Sequence, residues 1–233
     1  MISPGYAGHN GARDNQVIRS AREDSVTARR LLLVRHGETD FNREGRSQGH
    51  LDVPLNLLGM AQAEAIAARL TDADLVRCVS SDLLRARYTA EAVALPRGIP
   101  LDLTADLREA HLGVLQSQLI RDWGEVLGQD SDYLARLSSR ARPPGGESPL
   151  DVRRRVQRFI RQLRTTLAGL PPGDVLIVGH GGSLRALLAV LLNLPPAAGW
   201  AFRFDNCALT VVDWRPGDHS QLLSFNDHAH LPG

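Results

Sequence analysis

Leu31-Leu32-Leu33-Val34-Arg35-His36-Gly37 decides how this chain is read, because an unbroken apolar run stops there at an arginine, a histidine and a glycine. Apolar residues without polar alternation fit a strand covered on both faces, as in a parallel sheet flanked by helices. A second stretch repeats the pattern: Val175-Leu176-Ile177-Val178 leads into Gly179-His180-Gly181-Gly182. Ligands of open α/β sheets gather at the carboxyl ends of strands. Two histidines at two such ends are therefore the first indication of a site.

Between and around these strands the chain alternates strand and helix patterns. Asn56 is placed to cap a helix over 57–70, and Leu75 to Val79 reads as a strand. Asp82 is placed to cap a helix running to about Ala94, and Pro96, Gly98 and Pro100 turn the chain into a strand at 101–103. A weakly patterned, charged helical segment spans 115–142 and closes at Pro143-Pro144-Gly145-Gly146. Ser148, Pro149 and Asp151 then open a long basic helix to about Ala168. A helix from about Ser183 to Leu192 follows the Gly181-Gly182 pair. Short strands are expected around Phe202, Ala208 to Val212 and Leu222 to Ser224. The predicted fold is α/β, a three-layer α/β/α sandwich with a mostly parallel central sheet. Residues 1–28 show no sustained apolar period and read as a flexible extension. Residues 29–233 form the domain, with 115–147 as a lid or insert.

The chain has 233 residues, 43% hydrophobic and 23% charged, and 27 basic against 26 acidic residues leave a net charge of +1. That balance gives no reason to expect nucleic acid or a membrane surface as a partner. Cys78 and Cys207 each sit in an apolar context that reads as a strand, and buried free thiols are expected. A cytoplasmic location is the default expectation, with self-association as a homodimer left open. No cofactor and no metal are expected, since no Cys/His/Asp cluster has ligand spacing. Asp227-His228-Ala229-His230 reads as a solvated tail.

Chemistry enters through what the strand ends bring together. Arg35 and Arg85 offer guanidinium forks that match phosphate oxygens and stay charged at any working pH. His36 and His180 offer imidazoles, one of which can attack phosphorus and carry the phosphoryl group covalently. Glu109, in the loop after strand 101–103, can protonate a leaving alkoxide and later deprotonate water. Each residue also has an ordinary reading: Arg85 as a surface partner of Asp82, Glu109 as a solvated carboxylate, and Gly181-Gly182 as a tight turn. Those readings strain because all of the features fall at one edge of one sheet.

The stretch from Leu31 to Asn42, with Arg46-Ser47-Gln48-Gly49, Asp52-Val53-Pro54-Leu55-Asn56, Gly59, Ser80-Ser81-Asp82-Leu83, Arg85, Leu107-Arg108-Glu109, Gly145-Gly146-Glu147-Ser148 and Val178 to Gly182, resembles the histidine phosphatase (phosphoglycerate mutase-like) superfamily. The resemblance covers roughly 30–225 in order and spacing. It implies His36 as the phosphorylated nucleophile and Glu109 as the proton donor. It also implies Arg35, Arg85 and His180 as phosphoryl-holding groups, and Asn42, Gln48, Gly49 and Gly181 as phosphate or substrate contacts. One departure is visible: Leu112-Gly113-Val114-Leu115-Gln116-Ser117 stands where the family commonly carries Phe-Gly-x-Trp-Glu-Gly. His111, beside the acid, is taken as structural.

The expected activity is metal-independent hydrolysis of a small phosphorylated metabolite, a phosphosugar or phosphoglycerate-type monoester, through a phosphohistidine. A phosphoglycerate mutase is the first alternative, and a non-catalytic phosphate-binding or scaffold protein the second. Arg121, Arg136, Arg140 and Arg142 in the lid are candidates for reading a second negative charge on the substrate.

Overall fold

The computed structural model describes residues 29–128, 140–215 and 220–232. Its core is a six-stranded sheet in the order β3-β2-β4-β1-β5-β6. The strands are β1 (Arg29–Arg35), β2 (Leu75–Ser81), β3 (Leu101–Thr104), β4 (Asp174–Gly179), β5 (Leu209–Trp214) and β6 (Gln221–Asp227). The first four run parallel, and β5 and β6 are antiparallel to their neighbours.

The helices are α1 (Asp40–Glu44), α2 (Leu57–Arg69), α3 (Leu84–Ala94), α4 (Trp123–Leu127), α5 (Pro149–Ala168) and α6 (Gly181–Leu191). Side chains alternate across a strand, so each apolar run feeds two cores. Leu31, Leu33, Val175 and Ile177 pack with Val152, Val156, Phe159, Leu184 and Leu187 of α5 and α6. Leu32, Val34, Leu176 and Val178 face the other way, onto Ile66 of α2 and Ala86, Ala90 and Val93 of α3. This double burial is what the unbroken runs anticipate, and each such side chain contributes about 1.5–3 kcal/mol of transfer energy. Both cysteines are free and buried in the second core. Among the described residues no helix is long and apolar enough to cross a membrane.

Several local expectations are corrected. Asp82 does not cap α3: Arg108 takes it bidentately at 2.8 and 2.5 Å. The free amide of Leu84 donates instead to Asp52 Oδ1 at 2.7 Å, so a residue of the loop before α2 does the capping. Phe202 is not in a strand. It follows a 3₁₀ turn at 196–201, its carbonyl accepts from Arg185 Nε, and its ring meets Phe225 at 5.4 Å. Cys207 likewise sits outside the strands, at a positive φ of 54°. Helix α6 begins at Gly181, and the loop after Gly37 holds the short α1, closed by a reciprocal Thr39–Asn42 cap. Of the weakly helical segment expected over 115–142, the described part up to 128 forms 3₁₀ turns at 113–115 and 120–122 and then α4, and 129–139 lie outside the described residues. The extension 1–28 and Arg136 lie outside the described residues.

The chain leaving β1 is pressed backbone to backbone on the start of α2. A Cβ on Gly59 would lie 2.0 Å from the Glu38 oxygen, and one on Gly37 would lie 2.4 Å from the Gly59 oxygen. Neither contact can relax without moving main chain beside His36. Gly59→Ala is expected to cost about 1–3 kcal/mol in chemical denaturation, the usual price of overpacking. Gly169→Ala, where a Cβ meets nothing within 4 Å, is the control and stays within about 0.5 kcal/mol of wild type. Equal costs for the two would remove the close-approach explanation.

Candidate active site

Parallel pairing sets Arg35 of β1 directly opposite Gly179 of β4, so the residues that follow each strand leave the sheet side by side. His36 and His180 lie with ring centroids 5.0 Å apart, tilted by 57°. Strand β2 ends at Ser81 and leads into α3, which carries Arg85. Strand β3 leads through a 3₁₀ turn at 105–107 to Glu109. A cavity of about 370 Å³ opens here, lined by Arg35, His36, Asn42, Gln48, Gly49, Arg85, Glu109 and Gly181 among others. His180 does not line it and stands against His36 instead.

His36 is 2% exposed, and its Nδ1 lies 2.7 Å from the carbonyl oxygen of Gly37. A carbonyl only accepts, so Nδ1 carries the proton and the lone pair is on Nε2. Burial first, then the cations Arg85 and Arg35, hold the imidazole pKa well below its usual 6.5. His180 shares a 2.8 Å hydrogen bond between Nε2 and Ser81 Oγ, while its buried Nδ1 has no partner among the described residues. Its pKa is also well below the ordinary value, through burial and then Arg85 and His36.

Arg85 is fully buried, yet its guanidinium meets carbonyls: Nη1 donates to Leu51 at 2.7 Å and Nη2 to Gly49 at 2.8 Å. Arg35 Nη1 donates to Phe204 at 2.8 Å. Among the described residues neither guanidinium forms an ion pair, and the Nε of each is buried without a partner. Burial lowers the pKa of both, that of Arg85 to about 10. Glu109 acts on both from a distance, but neither is directly paired, and such cations are favourable partners for an anion with several oxygens.

The smaller contacts are distinguishable by chemistry. Asn42 Oδ1 is engaged by the Thr39 amide and hydroxyl, at 3.3 and 3.2 Å, which leaves Nδ2 as a donor. Gln48 is 7% exposed, with Oε1 buried and unpartnered. Gly49 acts through its backbone, since its carbonyl fixes Arg85 and its φ of 53° suits glycine. Gly181, expected as a phosphate contact, lines the cavity, and the amide of its neighbour Gly182 donates to Glu109 Oε1 at 3.0 Å and Oε2 at 3.1 Å.

Glu109 is also held from behind. Its carbonyl accepts from His50 Nε2 at 2.8 Å and Arg155 Nη2 at 2.9 Å. Arg155, 7% exposed, reaches the Asp106 carbonyl and pairs with Glu147, which accepts the His111 amide. His50 and Arg155 were missed in the sequence. A signal for Arg155 existed, because it falls on the apolar stripe of α5 with Val152, Val156 and Phe159. His111 accepts the Gly113 amide and stacks edgewise on His50, outside the cavity lining. His230 bonds the Cys207 carbonyl. Of the lid arginines, Arg121 pairs with Asp122 and Arg142 with Asp151, and neither lines the cavity; Arg153 and Arg185 do.

The model of the histidine phosphatase superfamily (branch 1) matches residues 31–228. A protein of Yersinia pestis (strain Pestoides F) named "Probable phosphoglycerate mutase GpmB" is 35% identical over 205 residues, 86% of this chain and 94% of that protein. A mycobacterial glucosyl-3-phosphoglycerate phosphatase solved with VO3 is 35% identical with a TM-score of 0.76, covering 86% of this chain and all (100%) of that one. The α-ribazole phosphatase of Shigella flexneri is 30% identical with the same TM-score of 0.76, over 88% of this chain and 98% of its own. In sequence, in fold and in the pairing of two strand-end histidines, the chain belongs to the histidine phosphatase superfamily.

Proposed function

We propose that the protein is a phosphatase that hydrolyses a small phosphorylated metabolite, with His36 Nε2 as the atom that takes the phosphoryl group. The observation that carries this reading is the unprotonated Nε2 of His36 beside two guanidiniums that form no direct ion pair among the described residues. In the first step Nε2 attacks phosphorus in line with the ester oxygen. Arg35, Arg85, His180 and Asn42 Nδ2 hold the equatorial oxygens, so the charge of the transition state is met by fixed cations and donors. Glu109 gives a proton to the departing alkoxide. In the second step Glu109 takes a proton from water, which attacks the phosphohistidine and releases inorganic phosphate. The positive charge is supplied by arginine, so the reaction is expected to persist in a chelator. Segment 115–147 supplies Ile120, Trp123 and Glu147 to the cavity wall, which supports its role as a lid.

The mutase name of the Yersinia relative motivates a second reading, transfer to another hydroxyl of the bound product in place of water. A scaffold reading leaves Glu109 and its supporting network without a task. Phosphate release from 3-phosphoglycerate and p-nitrophenyl phosphate decides among the three. Wild type is expected to release phosphate and to form an acid-labile phosphoenzyme, and His36→Ala to lose roughly 10³-fold or more. Interconversion of phosphoglycerates without net release would give the mutase.

Because Arg155 holds the main chain of Glu109, losing it should behave like a weakened acid. Arg155→Met is expected to slow alkyl phosphates, which need a proton on the leaving oxygen, by about 10²-fold. p-Nitrophenyl phosphate, whose leaving group needs none, should lose far less. An equal loss on both substrates would mean general damage to the fold.

The pH dependence follows from the imidazoles. A pKa depressed below 6.5 keeps His36 neutral and nucleophilic in mild acid, so the acid limb of kcat/KM lies below 6.5. The unfolded chain protonates both histidines near 6.5 while the folded one does not. Their contribution to stability is therefore present above 6.5 and lost as pH falls. An NMR titration of His36 with its midpoint at or above 6.5 would overturn both statements.

A further inference from the structure

The cavity is longer than the chemistry at His36 requires. Gly182, Ala186 and Ala189 of α6 all line it, and seven residues of helix span about 10 Å. Gly182 is the residue that meets Glu109, so the cavity runs about that far from the acid along the helix. Much of the wall on the way is carbon, from Val152 and Pro149 of α5, Ala186 and Ala189 of α6, and Trp123 and Trp200, with Arg185 of α6 and Glu147 set among them. Trp200 is 48% exposed and Ile120, also on the lining, is 55% exposed. Large apolar side chains left open along a concave, otherwise charged site mark a surface that is covered when a ligand binds. The Trp200 ring has Arg185 Cζ 5.6 Å from its centroid, a contact that orients the indole.

A ligand hydroxyl buried against Val152, Ala186 or Ala189 would find no hydrogen-bond partner in those side chains, whereas methylene or ring carbon would lose nothing there. Among the polar groups on this wall, Arg185 is engaged by the Phe202 carbonyl and the Trp200 ring, whereas Arg153 has an unsatisfied nitrogen. It lines the same cavity, and its buried Nη1 has no partner among the described residues, so it can meet a single acceptor on an otherwise apolar group.

Resting on the phosphatase reading above, we infer that the substrate is a phosphate monoester whose alcohol part extends, beyond the ester, into an apolar or planar body. That body lies along α6 between Trp123 and Trp200, with one acceptor toward Arg153. The phosphoryl end is read by charge and the far end by carbon.

Straight-chain alkyl phosphates from methyl to octyl test this, because they share one leaving-group chemistry and differ only in length. With the full chain, kcat/KM is expected to rise about fourfold per methylene until the far end is filled, and longer members should exceed glycerol phosphate. Ala186→Leu should end the rise at a shorter chain, and Trp200→Ala, at an exposed position that tolerates truncation, should lower its slope. A flat series, or glycerol phosphate hydrolysed faster than hexyl phosphate, would overturn the inference while leaving the phosphatase reading intact. If no monoester in the set releases phosphate, both fall together.

Discussion

Everything at this site depends on the parallel pairing of β1 with β4. The pairing puts Val34 beside Val178 and Arg35 beside Gly179, so the chain leaves both strands at one height. The register is fixed by the two cores: a slip of one residue would send Leu31, Leu33, Val175 and Ile177 to the wrong face. His36 then closes the junction, with its amide donating to the Gly179 carbonyl at 3.0 Å. The Cys207 amide donates to the Arg35 carbonyl at 2.9 Å from the other side. The two imidazoles consequently come within 5.0 Å of each other.

Such proximity has an electrostatic consequence. Two guanidiniums and two imidazoles share a buried space, and four positive charges there would repel strongly at low dielectric. The imidazoles resolve the conflict by staying neutral, which also leaves them able to attack phosphorus or to hydrogen-bond its oxygens. The arginines cannot deprotonate at working pH, so backbone carbonyls from Gly49, Leu51 and Phe204 solvate them in place of carboxylates. A carbonyl relieves the desolvation only partly and leaves the net charge intact. A directly paired aspartate would have neutralised the charge that the proposed phosphoryl-holding role needs. Arg108 contributes by binding Asp82, the acidic residue that sequence spacing offers to Arg85.

Much of this was legible in the residues. Unbroken apolar runs announced strands covered on both faces, and the strand-end histidines announced where chemistry would gather. What failed to show was long-range. Asp82 looked like a cap because local spacing cannot reveal Arg108 arriving from 26 residues away. His50 and Arg155 carry no motif of their own, and their task, gripping the Glu109 carbonyl, exists only after β3 and α5 have packed. Phe202 and Cys207 were misread because apolar character was taken for extended backbone. Ser117 has φ 71° where the family motif places glycine, so the chain tolerates a strained residue that composition could not reveal.

The grip on Glu109 bears on how one carboxyl can serve two proton transfers. Its main chain is fixed by His50 and Arg155, and its carboxyl oxygens rest on the Gly182 amide at the start of α6. A Cβ at Gly182 would sit 2.2 Å from Oε1, so the approach exists only because that residue is glycine. Held at both ends, the carboxyl has little room to swing between steps. It does not need to: the water that attacks the phosphohistidine must enter in line, at the position the alkoxide has just left. An acid fixed beside the leaving oxygen is by the same geometry a base fixed beside the entering one. On the proposed mechanism, the hold of Arg155 and Glu147 behind Glu109 therefore serves hydrolysis, in which two proton transfers in opposite directions occur at one place.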